Sequence, residues 1–157
     1  MNAYAVLKFI HVLSSTVLFG TGLGTAFFMW MTHRSGEVAA IANASRLTVR
    51  ADFWFTTPAV IVQPVTGIAL MRVAGYPPDS SWLEAAIGLY IVAGTCWLPV
   101  VFLQMRARDL SAAALRSGTP LPAAYHTCMR RWFALGWPAF AAVVVTFWLM
   151  VAKPALW

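Results

Sequence analysis

The sequence predicts an all-α fold, a four-helix transmembrane bundle over residues 1–157 with both termini outside (N-out/C-out). Three observations predict it. Hydrophobic residues make up 61% of the chain and charged residues 10%, more apolar surface than a water-soluble core of this length can hide. Four apolar stretches contain no Asp, Glu, Lys or Arg: Phe9 to Thr32, Phe53 to Met71, Ala85 to Met105 and Trp132 to Ala152. Between them the basic residues gather in two alternate connections.

Each stretch is long enough to span. A helix needs about 20 apolar residues at ~1.5 Å each to cross a hydrocarbon core of ~30 Å. Strands of a membrane barrel would be about 10 residues long with alternating polarity, and open backbone is not tolerated in lipid. The first helix, at about 4–32, could be read as a cleaved signal peptide, with an A-x-A-like site in the small residues from Ala40 to Ala44. Its apolar run exceeds the roughly 7–15 residues of a signal h-region, and only Lys8 supplies charge before it, so a retained helix is expected.

The second helix, at about 51–73, carries Pro58 and Pro64. The third, at about 82–107, follows a turn from Gly75 to Ser81 in which Gly and Pro stop the chain and Ser81 is placed to cap. The fourth spans about 127–153. Trp82, Trp132, Trp148 and Trp157 fall near helix ends, where indoles favour the membrane interface. No repeat or linker divides the chain.

Orientation follows from charge. Arg34, Arg46 and Arg50 lie between the first two helices, and Arg106, Arg108, Arg116, Arg130 and Arg131 between the last two, eight of the eleven basic residues. The positive-inside tendency puts those connections in the cytoplasm and both termini outside. The net charge of +6 and pI near 10.0 then describe a basic face beside anionic lipid and call for no nucleic acid.

Chemistry has to come from polar residues that the membrane makes expensive. His11 lies in the outer half of the first helix, and a polar group at that depth usually faces the bundle interior and marks a site. Ser15, Leu18, Gly22 and Thr25 share its helical face, mostly small residues that let a flat group or a neighbouring backbone come close. One reading makes His11 the axial imidazole of a haem iron, with Lys8 or Arg72 pairing a propionate at the outer surface. The other makes it a hydrogen-bonded packing residue, with Gly20-x-x-x-Gly24 serving helix contact.

His33 is 22 residues further along the same helix, roughly 33 Å by helical rise. It and His126 share the cytoplasmic side, as a facing pair or as interfacial loop residues. Cys96 and Cys128 stand at different depths and make neither a disulfide nor a metal motif. Thr56-Thr57-Pro58, Gln63-Pro64 and Thr66-Gly67 either line a cavity or kink the second helix. Asp52 is expected to pair with Arg50 or Arg46, and Glu84 to sit on the positive end of the third helix dipole. No phosphate loop, nucleophile elbow or metal-ligand cluster occurs, which leaves soluble hydrolase or nucleotide chemistry unsupported.

Lys8-x-x-His11, Phe19-Gly20, His33, Thr57-Pro58-Ala59 and Thr66-Gly67-Ile68-Ala69-Leu70 together resemble the HemJ-type protoporphyrinogen oxidase family. Tyr125-His126, Arg131-Trp132-Phe133, Pro138 and Lys153-Pro154 extend the resemblance through the last helix. The chain is also similar to a neighbouring family of uncharacterised four-helix bacterial membrane proteins. The HemJ resemblance implies a multi-pass protein of the bacterial inner (plasma) membrane that holds haem b through His11, oxidises a porphyrinogen and passes electrons to the respiratory chain. That family carries a lysine shortly after a Trp-Leu at the start of its third helix, whereas here Trp82-Leu83 is followed by Glu84-Ala85-Ala86.

The expectation is therefore a haem-b-binding membrane redox protein whose cofactor site draws on His11, Lys8, Ser15, Gly22 and Arg72. Its partners would be the lipid bilayer and a respiratory-chain protein or quinone; whether it is an enzyme stays open. The alternative is a haem-free accessory or assembly subunit, a homo-oligomer or part of a membrane complex. A small transporter fits less well, since none of the four stretches holds a carboxylate.

Overall fold

A computed structural model of the protein describes residues 2–157. Its helices are α1 (Ala3–Ser35), α2 (Val38–Ala51), α3 (Thr57–Ala74), α4 (Ser81–Ser117) and α5 (Ala123–Ala152), with a π-helical turn, Asp52–Thr56, between α2 and α3. That turn leaves α2 and α3 one continuous rod, so four helices are long and apolar enough to cross a membrane: Ala3–Ser35, Val38–Ala74, Ser81–Ser117 and Ala123–Ala152. The fold is an all-α bundle of four transmembrane helices.

Two helices run further than their apolar stretches. The second starts at Val38, not near 51, and the third continues to Ser117, not near 107. The cause is packing between the extensions. Ile41, Ser45 and Thr48 are buried on α2, and Ala107, Ser111 and Ala114 on α4, at spacings of three or four that give each helix one buried stripe. The two stripes pack against each other. Ala-rich sequence adds intrinsic helix propensity.

The helix ends have local causes. Asn2 Oδ1 accepts the Tyr4 N–H at 3.1 Å and caps α1. Gly36 and Gly118 close α1 and α4 with φ of 71° and 64°, a left-handed conformation that residues with a Cβ avoid. At the start of α4, Ser80 takes the N-cap position rather than Ser81. The Ser81 hydroxyl instead accepts the Leu156 N–H at 2.9 Å, tying the C-terminal segment to the α3–α4 turn. Lys153 reinforces the tie through a short hydrogen bond to the Tyr76 hydroxyl.

Both termini and the α3–α4 turn thus share one end, the terminal end; the α1–α2 and α4–α5 connections form the other, the connection end. Packing differs between them. A common core of Met29, Ile41, Val100, Ala107, Tyr125, Cys128, Met129 and Trp132 draws on four helices toward the connection end. Trp132, expected at the interface, is thus a core residue, 6% exposed. Toward the terminal end α1 packs on α3 and α4 on α5. Bridges between these two pairs include Phe19, stacked on Phe140 with ring centroids 5.0 Å apart and close to Phe147.

Candidate functional site

The polar residues of the terminal half converge where α1 crosses α3. His11 Nδ1 lies 2.8 Å from Thr66 Oγ1. Thr66 also stands 2.7 Å from the Val62 carbonyl, to which it donates. Its single proton is therefore committed, and the bond to His11 runs from imidazole Nδ1–H to the threonine oxygen. The lone pair then lies on Nε2, which makes no hydrogen bond among the described residues.

The backbone beneath the imidazole is fixed as firmly as the ring. Gln63 Nε2 donates to the His11 carbonyl at 2.9 Å and to Ser14 Oγ at 2.9 Å, and Ser14 Oγ donates to the same carbonyl at 3.1 Å. Ser14 and Thr66 are buried. Interhelical bonds of this kind are worth about 0.6 kcal/mol each in a membrane, up to about 1.7. Their main effect is positional, since several act on one turn of α1.

Gly67 completes the site. A Cβ added there would meet His11 Cε1 at 3.4 Å, so the imidazole lies flush against α3 backbone. The same test speaks against the reading of Gly20 and Gly24 as helix-contact residues within the chain. Gly20, Gly22 and Gly24 have nothing within 4 Å of where a Cβ would stand. Within the chain they hold no close helix contact.

Of the other residues expected here, Ser15 is half-buried and donates its hydroxyl to Val12 O at 2.7 Å. Lys8 is exposed one turn toward the terminal end from His11, its ammonium 5.7 Å from the Tyr4 ring centroid. Arg72 is exposed in the last turn of α3. In the antiparallel α1–α3 register set by His11–Thr66 and Ser14–Gln63, Lys8 and Arg72 both lie on the terminal side of the imidazole.

The prolines of the second rod have defined consequences. Pro64 has no N–H to offer the Val60 carbonyl one turn back. Tyr90 of α4 supplies the missing donor, its hydroxyl 2.5 Å from Val60 O. Pro58 likewise removes the bond to Trp54, and the widened π turn just before it, where Thr57 N–H reaches Asp52 O, absorbs the change.

Asp52 is not in the expected ion pair. It is buried, 6% exposed, and accepts from Thr56 Oγ1 at 2.8 Å. Arg46 binds Asn43 instead, and the ion pair found among the described residues is Arg108–Asp109. The buried stripe of α2 turns Asp52 inward, while Arg46 and Arg50 lie on the exposed face.

At the connection end His33 and His126 do face each other, with ring centroids 5.8 Å apart and Tyr125 within 5.6 Å of both. Cys96 and Cys128 are free thiols. No group of three or more His, Cys, Asp or Glu that could hold a bare metal ion occurs among the described residues. A haem iron is a different case, because the porphyrin supplies four ligands and the protein only the axial ones. A single imidazole with a free Nε2 and a hydrogen-bonded Nδ1–H suits that role.

Comparison with known proteins reaches one family. The model of a family described as predicted integral membrane protein (DUF2269) matches residues 5–154. No curated protein matches, and no solved structure does.

Proposed function

The chain belongs to the DUF2269 family of predicted integral membrane proteins, and from that premise we propose that it is a haem-b-binding redox protein with His11 as an axial ligand. The observation that carries this reading is the hydrogen bond from His11 Nδ1–H to Thr66, whose own proton is committed to Val62. Metal-bound histidines are held in this way, one ring nitrogen fixed by a neighbouring acceptor and the other left to ligate.

Bound haem would supply one-electron redox chemistry. The chain would do the rest. His11 would donate the Nε2 lone pair, Thr66 and Gly67 would set the ring's orientation, and Gln63 would hold the helix turn that carries it. Lys8 and Arg72, exposed on the terminal side of His11, would neutralise the propionates. Ser15 and Gly22, half-buried further along α1, would flank the macrocycle.

Electron transfer with a respiratory-chain protein or a quinone fits this chain better than porphyrinogen oxidation. Where the HemJ pattern places a lysine, this chain has Glu84-Ala85-Ala86, and Glu84 is exposed. The basic connections support an N-out/C-out orientation in a bacterial plasma membrane, which would put the His11 level near the outer surface.

The test is the absorbance spectrum of protein purified in mild detergent, before and after haem reconstitution. Wild type should show a Soret band, His11→Ala should lose most of it at similar protein yield, and His126→Ala should keep it. A wild type that takes up no haem after reconstitution overturns the proposal, and the accessory-subunit reading replaces it.

A further inference from the structure

The joint between α2 and α3 buries a carboxyl group that has no ion-pair partner among the described residues. On the rod, Ile41, Ser45, Thr48, Asp52 and Thr56 are buried at intervals of three or four; on antiparallel α4 the matching series is Val100, Gln104, Ala107, Ser111 and Ala114. Running the two series in opposite directions sets Asp52 opposite Gln104, and the Gln104 side chain lies against the Asp52 carboxyl. Both residues are buried, at 6% and 4% exposure.

Neither Thr56 nor Gln104 supplies a counter-charge if Asp52 is ionised. Thr56 Oγ1 donates to Asp52 Oδ1 at 2.8 Å. Asp52 Oδ2 and Gln104 Oε1 are both buried with no hydrogen-bond partner. Each is an acceptor, and a buried acceptor left unpaired is strongly unfavourable. A buried carboxylate without a cation is worse. Among nearby charges, Arg46 and Arg50 on α2, Arg106 on α4 and Arg131 on α5 are exposed, and Arg108 is engaged by Asp109. None forms an ion pair with Asp52.

We propose that Asp52, held between Thr56 and Gln104, is a buried proton-binding site, with one proton carried on Asp52 Oδ2. That proton removes the buried charge. It is taken from water at the connection end and returned there. Its release leaves a carboxylate that only water or a cation entering the α2–α4 seam can stabilise, so deprotonation and opening of that seam are coupled. The site lies in the π turn, a distortion that recurs at functional positions, and an ionisable group inside a membrane bundle commonly marks a proton path. This inference stands apart from haem binding at His11.

Infrared spectroscopy of the full-length protein in lipid nanodiscs at neutral pH tests it. The chain has five Asp and Glu residues, and the other four, Glu37, Asp79, Glu84 and Asp109, are exposed. A protonated-carboxyl C=O band should therefore be visible in wild type, move on transfer to D2O and vanish in Asp52→Asn. Gln104→Met keeps the carboxyl but removes a hydrogen-bonding neighbour, so the band should persist and shift to higher frequency. Absence of the band in wild type, its survival in Asp52→Asn, or a band unmoved by Gln104→Met overturns the proposal.

Discussion

The His11 imidazole lies against the backbone of Gly67, where an added Cβ would stand 3.4 Å from Cε1. That separation is ordinary van der Waals contact for one methyl group but leaves no room for a branched side chain. Gly67→Ala should therefore keep haem loading close to wild type, while Gly67→Val should displace the ring and cut the Soret absorbance severalfold at equal protein yield. Equal loading in the two variants would break the link between this contact and the site.

Thr66 accepts the Nδ1 proton, so its removal should weaken the ligand without deleting it. Partners of this kind typically contribute about 10–100-fold in metal affinity. Titration of purified apoprotein with haem should give a Kd raised within that range for Thr66→Val and near wild type for Thr66→Ser. An unchanged Kd for Thr66→Val would remove the hydrogen bond from the account of haem binding.

Tyr90 and Pro64 should be energetically coupled. Tyr90→Phe leaves the Val60 carbonyl without a donor and should cost about 1 kcal/mol of stability. In a Pro64→Ala background the restored N–H can serve that carbonyl, so the same change should cost clearly less. A double-mutant cycle on thermal unfolding in detergent reads the difference, and strict additivity would contradict the replacement-donor argument.

Orientation can be read with reporters. A fusion after Trp157 should be active outside the cytoplasm, and one inserted in the connection near Ala113 should be active inside. The reverse pattern would move His11 to the cytoplasmic side and separate it from any periplasmic electron partner.

Much of the architecture was legible in the sequence. Hydropathy located four spans because lipid requires about 20 apolar residues in a row, and His11 stood out because a titratable group at that depth is rare. The helix extensions were not legible. From Val38 to Ala51 and from Arg106 to Ser117 the chain carries charge, so hydropathy falls while the packing stripe continues. Asp52 was misplaced for the same reason: neighbouring arginines suggested an ion pair, and only the direction of its helix face turned it inward. Thr66-Gly67 was visible as a motif, but nothing in its spacing said that it meets His11.

The sequence by itself determined the number of spans, their helical nature and the concentration of basic charge at one end, because each depends on composition along a single segment. The tertiary structure decided which segments touch. It paired His11 with Thr66 and Gly67 across 55 positions of chain, set Asp52 against Gln104, and left Gly20 and Gly24 without a helix to meet. Those outcomes depend on the rotation of each helix about its axis and on the register between neighbours. Inside a bilayer apolar surface is favourable toward lipid and protein alike, so burial patterns alone do not fix that rotation. Steric fit and a few interhelical hydrogen bonds do.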